Sequence, residues 1–308
     1  MRIVTAEEVH GLCAWPKLVD ALAKAHCGPA PMVDRSELHN TTGNIRDTYF
    51  NLPAWQPGVA MGTKIVTVFP ANPDKGPLPA VQAVYALFDG KDGRPLLMID
   101  GTALTYRKTA ADSALGSKLL SRPDAEVLLM VGAGALAPFL VAAHRAMRPS
   151  LRDVLVWNRR HEKAEALARD VGGTVVTDLE SAVRRADIVS TATASTEPLV
   201  KGAWLKPGAH LDLVGGFTPE MRECDDEAVT RSAIFVDSRW FAVDQPGDLG
   251  DPIRRGVITH DAIRADLFQL CKGAMTGRRT AEEITLFKNG GGSHLDLFTA
   301  LHIWTELQ

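Results

Sequence analysis

The sequence predicts an α/β protein: a parallel sheet made of βαβ units in the middle of the chain, beside an α+β part assembled from both chain ends. Three observations lead there. From about residue 124, short buried-strand runs alternate with helical runs, as in EVLLMV, ALAPFLVAAHRAM, DVLVW and EKAEALARD, and such alternation builds parallel strands joined by crossover helices. Before about residue 115 a short helical start is followed by TKIVTVF, AVYALF and LLMID, which are strand-like and separated by the turn clusters NPDKGP and DGKDGRP. After about residue 260 come a helix, the strand-like EITLFK, a glycine run and the helical SHLDLFTALHIWTEL. That last piece is too small for a core of its own, so it is expected to return to the N-terminal part. The expected units are 1–115 with 279–308, and 116–278.

Composition removes several functional classes. The chain has 308 residues, 45% hydrophobic and 23% charged, with a formal net charge of −3, which is ordinary globular usage. Such a balance gives no electrostatic footprint for nucleic acid or an anionic membrane. Cys13, Cys27, Cys224 and Cys271 lie far apart with no CxxC pair, as expected of reduced thiols in the cytoplasm. The opening MRIVTAEEVHGL carries charges early and no apolar core of a signal peptide, and no apolar run is long enough for a membrane span. His161-Glu162 continues as Lys163-Ala164-Glu165, so it is not a zinc-binding HExxH. No GxSxG elbow is present.

The parallel region opens on VGAGALA. EVLLMV precedes Gly132, the helix is expected to open at Ala135, and Pro138 falls in its first turn, where a missing N–H costs nothing. Gly132 then permits the turn, Gly134 lets the backbone approach a pyrophosphate, and Ala137 allows close helix–strand packing. This is the dinucleotide turn of a Rossmann-type domain. An acid normally stands at the end of the next strand, where it grips the ribose 2′-hydroxyl. Here the chain reads Trp157-Asn158-Arg159-Arg160. A carboxylate there would repel a 2′-phosphate, whereas Arg159 can pair with one bidentately and Asn158 can still bond the ribose. The expected cofactor is NADPH, with NADH a weaker alternative.

Two stretches of the N-terminal part carry further chemistry. In MGTKIVTVF, Lys64 shares a strand face with Val66 and Val68. A lysine in such a run is either a desolvated group suited to proton transfer or anion binding, or an edge-strand lysine that opposes aggregation. YRKTAADSALGSKLL reads as a helix with a small-residue face, whose early cations and Thr109 are placed to hold a carboxylate at its N-terminus.

The segments MGTKIVTVFP, LTYRKTAADSALG, VGAGALA, VLVWNRR, TATASTEPLVKGAWLKPGAHLDLVGG, DPIRRGVI and TLFKNGGGSHLD together resemble the ornithine cyclodeaminase/mu-crystallin family over essentially the whole chain. The resemblance implies a Rossmann domain flanked by a substrate-binding and dimerisation domain, and so a homodimer. It implies Arg35 and Lys64 at the substrate, with Lys64 near the reacting carbon. It implies Asn158 and Arg159, with Arg160 beside them, at the 2′-phosphate. Thr109, Thr191, Ala192, Thr193 and Val214 would lie along the cofactor, and Lys288 and Asn289 would close the site near the nicotinamide. His294 stands after a glycine run that lets backbone approach a ligand, and helix capping or packing serves it equally well.

Two positions depart from the family. Cyclodeaminases carry an acid directly after the paired glycines as catalytic base, but Gly215-Gly216 is followed by Phe217. Without the base, ornithine deamination loses its proton acceptor, and an apolar wall suits a small cyclic imine. The family's carboxylate-clamping arginine falls on Lys108, with Arg107 one place earlier. Neighbours on a helix point about 100° apart, and which of the two faces the substrate is open. The expected function is NADPH-dependent reduction of cyclic ketimines, Δ1-pyrroline-2-carboxylate to L-proline and also Δ1-piperideine-2-carboxylate to L-pipecolate. The alternatives are an NAD-dependent ornithine cyclodeaminase, an amino-acid dehydrogenase such as alanine dehydrogenase, or a non-enzymatic binding protein of mu-crystallin type.

Overall fold

Alternating residues of one sheet face set the architecture of the first unit. The computed structural model describes residues 1–40, 42 and 47–308, and these form two compact units: Met1–Lys108 with Ser293–Gln308, and Thr109–Gly292. In the first, β1 (Arg2–Val4) leads into α1 (Ala6–Leu12), which opens on a capping box between Thr5 and Glu8. Then follow α2 (Trp15–His26), β2 (Met32–Val33), β3 (Ser36–His39), β4 (Thr48–Gln56) and β5 (Ala60–Val68), then the single turn α3 (Asn72–Lys75), β6 (Val81–Asp89) and β7 (Pro95–Asp100). The sheet runs β1-β7-β6-β5-β4-β2, with β3 also on β4. All its pairs are antiparallel except β1 with β7. The C-terminal helix α12 (Ser293–Glu306) packs on β4, β5 and β6 and against α1 and α2. Tyr85, Leu87, Leu97, Ile99, Leu18 and Leu22 are buried in this core.

The Asp100 carboxylate accepts the Ala103 amide at 2.8 Å and so caps α4 (Gly101–Leu120). That helix begins seven residues earlier than Lys108, and the expected N-terminal anion site at Thr109 therefore does not exist. Lys108 and Thr109 sit mid-helix, where amides are already bonded within the helix.

The second unit alternates as expected: β8 (Val127–Val131), α5 (Ala137–Met147), β9 (Asp153–Trp157), α6 (His161–Val171), β10 (Thr174–Val175), α7 (Leu179–Arg185) and β11 (Ile188–Thr191). It continues with β12 (His210–Leu213), α8 (Asp226–Arg231), β13 (Ala233–Val236), α9 (Arg239–Ala242), α10 (Gly247–Arg254), β14 (Ile263–Asp266), α11 (Leu267–Cys271) and β15 (Thr285–Lys288). All eight strands are parallel, in the order β10-β9-β8-β11-β12-β15-β13-β14. Most are buried on both faces, which explains their continuous apolar runs. The chain reverses its direction of sheet growth between β8 and β11, the switch point at which such sheets receive ligands.

Both expected boundaries shift. β15 pairs with β12 on one side and β13 on the other, so 279–292 belongs to the second unit and only α12 and the residues after it return to the first. A four-residue apolar strand does not carry its partner in its own sequence. The upstream boundary falls within the continuous helix α4. Among the described residues, no helix is long and apolar enough to cross a membrane.

Candidate functional site

In the second unit most of the residues singled out from the sequence gather at the C-terminal ends of β8, β9, β11 and β12. Gly132 has φ of +107°, and a Cβ there would stand 2.5 Å from the Ala192 carbonyl oxygen, so only glycine fits. Its amide donates to the Trp157 carbonyl at 2.9 Å. Gly134 differs: no heavy atom lies within 4 Å of where its Cβ would be. Protein packing does not demand a glycine there, but a ligand approaching the backbone would. α5 begins at Ala137 rather than Ala135, which lies in the preceding turn. Ala137 itself is fully buried.

The Asn158 side chain joins this turn to the end of β9. Its Oδ1 accepts the Ala133 amide at 3.3 Å and its Nδ2 donates to the Arg160 carbonyl at 2.8 Å. Arg159 and Arg160 are exposed, and neither guanidinium has a hydrogen-bond or ion-pair partner among the described residues. An open glycine turn between β8 and α5, with an exposed strand end beside it, fits a dinucleotide.

The neighbouring loops are held by a residue that sequence reading missed. Glu223 is fully buried. One of its oxygens accepts the Thr193 amide at 2.7 Å and hydroxyl at 2.9 Å, and the other accepts the Gly215 amide at 2.7 Å. Burial first, and then the nearby Asp248 carboxylate, push its carboxyl above the usual range. The only signal was an acid eight residues after Gly215, inside MREC. Val214 donates its amide to the Thr191 carbonyl at 2.9 Å, and Ala192 its own to Val131 at 2.9 Å, so these residues line the strand ends through their backbone.

Lys288 and Asn289 do not stand open to a ligand. Lys288 is fully buried, its ammonium 3.0 Å from Asp248 and 3.3 Å from the Leu213 carbonyl. Asn289 donates to the Thr109 carbonyl and to Ser113 Oγ, each at 3.0 Å. β15 lies inside the sheet, so side chains at its end meet protein. Phe217 is 58% exposed on the loop after Gly216.

The first unit has its own constellation. β5 is an interior strand, which removes the edge-strand reading of Lys64. Its side chain takes the helix-covered face with Ala60 and Gly62, all three buried. The ammonium meets both oxygens of Asp296 on α12, at 2.9 and 3.1 Å. Lys108 reaches the same carboxylate at 3.6 Å. Asp296 is fully buried and Lys108 is 1% exposed. Tyr85 lies directly across from Lys64 on β6, and burial first, then the Asp296 charge, raise its phenol well above its usual value.

Helix rotation decides between the neighbouring cations. Arg107 points away from Asp296: its Nε donates to His10 Nδ1 at 3.1 Å, its Nη1 to the Cys13 carbonyl at 3.1 Å, and its guanidinium lies 4.3 Å over the Trp15 ring. It therefore ties α4 to the N-terminal helices and leaves the cluster to Lys108. Arg35 sits between β2 and β3, 5.0 Å over the Phe50 ring and 3.4 Å from Glu37. His294 is buried edge-on to His26 at 5.5 Å and to Phe298 at 5.9 Å. Burial, then His26 and Lys108, push its imidazole well below its usual value and keep it neutral. Asp296 was missed because a single acid in HLDLF reads equally well as helix surface.

The family model for the ornithine cyclodeaminase/mu-crystallin family matches residues 3–308. The chain is 42% identical over 298 residues to a Δ1-pyrroline-2-carboxylate reductase of Paracoccus denitrificans (strain Pd 1222), covering 95% of this chain and 93% of that protein. It is 36% identical over 245 residues to the ketimine reductase mu-crystallin of Mus musculus, covering 78% and 74%. Among solved structures, Thermococcus litoralis Δ1-pyrroline-2-carboxylate reductase in complex with NADH and L-proline superposes with a TM-score of 0.90 at 29% identity, covering 99% of this chain and 97% of that one. This chain belongs to the ornithine cyclodeaminase/mu-crystallin family.

Proposed function

We propose that the protein is an oxidoreductase of cyclic ketimine carboxylates, reducing Δ1-pyrroline-2-carboxylate to L-proline and Δ1-piperideine-2-carboxylate to L-pipecolate with NADPH. The observation that carries this reading is the convergence of Lys64 and Lys108 on one buried carboxylate. A small imine bearing a carboxylate on its reacting carbon needs cations for that group and a proton for its nitrogen. Lys108 and Arg35 hold the carboxylate, and Lys64 orients the C=N bond and delivers the proton that its nitrogen gains. When bound, a nicotinamide cofactor would supply the hydride that the imine carbon gains. Gly132, Gly134 and Asn158 would hold the dinucleotide, and Arg159 and Arg160 its 2′-phosphate; NADH, lacking that phosphate, would serve less well.

The residue after Gly215-Gly216 supports the direction of the reading. Phe217 offers no proton acceptor, and the buried acids nearby hold backbone and Lys288 instead. The outer face of the first unit's sheet supports a homodimer: Ile3, Tyr49, Trp55 and Val84 lie on it, 70%, 37%, 45% and 44% exposed, and a second copy covering it would bury them. The four cysteines, far apart in the chain with no CxxC pair, suit the cytoplasm. The test is NADPH oxidation followed with the five- and six-membered imino acids, beside ammonia release from ornithine with NAD. Imine-dependent NADPH oxidation without ammonia release is expected, and the reverse pattern overturns the proposal.

A further inference from the structure

We infer that Asp296 is the positioning residue of this site, fixing the Lys64 ammonium where it transfers a proton; this rests on the ketimine reading above. A lysine ends in a compact charge on a flexible four-carbon stem with much rotamer freedom, so it needs a partner to hold one geometry. Asp296 provides that partner through both oxygens, at 2.9 and 3.1 Å. Among the described residues it is the only carboxylate within ion-pair distance of Lys64. The same carboxylate lies 3.6 Å from Lys108, and so sets the spacing between the proton-delivering and carboxylate-holding ammonium groups.

The surroundings leave this duty to Asp296. Lys64 faces Asp296 from α12, Lys108 from α4 and Tyr85 from β6, with His294 and His26 behind Lys108. The Tyr85 hydroxyl is buried without a hydrogen-bond partner among the described residues, and its phenol is held neutral. Both imidazoles are held neutral by burial. Leu295 and Leu297 flank Asp296 and are fully buried. A buried ion pair exchanged for apolar residues of similar volume is often neutral or stabilising, so stability alone does not account for a carboxylate here.

The test is Asp296→Asn, which keeps the shape and removes the charge. kcat for the cyclic imine is expected to fall at least about tenfold with KM changed less than about threefold, because the lost interaction acts on the transition state. The alkaline limb of kcat/KM is expected to move down by about one pH unit or more, since an ammonium without its opposite charge releases its proton more readily. NADPH affinity, read by fluorescence, is expected to stay unchanged. Wild-type kcat with an unmoved limb overturns the inference.

If Asp296→Asn does not fold, the double variant Asp296→Asn/Lys108→Met restores the net charge and still leaves Lys64 without its partner. Measured against Lys108→Met alone, it should show the same loss in kcat and the same shift of the limb, and equality of the two overturns the inference. A wild-type enzyme that turns over no cyclic imine fails the functional reading instead, which keeps the two failures apart.

Discussion

Asn158 accepts the amide of Ala133 at 3.3 Å, so its side chain ties the end of β9 to the glycine turn. Arg159 stands next along the chain, exposed and without a partner among the described residues. Arg159→Asp should reverse the cofactor preference. Losing one charge-assisted contact costs about 1.5–3 kcal/mol, or roughly 10- to 100-fold in kcat/KM with NADPH, and the new carboxylate accepts the NADH ribose hydroxyl. Kinetics with both cofactors check this, and a wild type that prefers NADH rules out the 2′-phosphate assignment.

Lys64→Ala should abolish most imine reduction. General acid–base groups contribute about 10²–10⁴-fold, and a loss in that range is expected with NADPH affinity nearly unchanged, because the glycine turn belongs to the other unit. Near-normal turnover in this variant would remove Lys64 from the mechanism.

On the proposed reading Phe217 presents apolar surface to the bound ring, so Phe217→Asp should damage ketimine reduction, while fold stability should stay unchanged because the side chain is 58% exposed in the free protein. The variant should not by itself create ornithine deamination. The wild type is expected to release no ammonia from ornithine, which an ammonia assay reads directly.

Acid should weaken the fold through its buried imidazoles. Burial lowers His26 to about 4 and His210 to about 3. Below the unfolded value of about 6.5 the unfolded chain binds a proton that the folded chain refuses, so stability falls as pH drops from there toward those folded values. The slope approaches about 1.4 kcal/mol per pH unit for each histidine. Denaturant unfolding between pH 7 and 4.5 checks this, and His26→Leu should flatten the slope by about one histidine's share.

Much of this was legible in the sequence, for different reasons at different residues. Gly132 is legible because a left-handed turn between strand and helix admits little else, and the alternation after it gave the parallel sheet. Lys64 stood out as a charge in an apolar run, and its place on an interior strand removed the edge-strand reading. Asp296 and Glu223 were not legible, since each is one acid among polar and apolar neighbours and acquires its role from partners far along the chain. Arg107 and Lys108 were separable only by rotation about α4. The register of β15 was invisible because pairing on both sides is a property of the assembled sheet.

That insertion of β15 between β12 and β13 has a consequence for biogenesis. The slot for residues 285–288 lies between strands that leave the ribosome much earlier, and α12 emerges later still. During synthesis β12 and β13 therefore wait with facing edges unpaired, and β4 to β6 wait without their covering helix. Neither unit closes until the last two dozen residues have been made, so the two complete almost together and not in N-to-C order. Unpaired apolar edges invite aggregation. A nascent or truncated chain ending near residue 280 should therefore be bound by chaperones as one incomplete body, without a finished domain at either end.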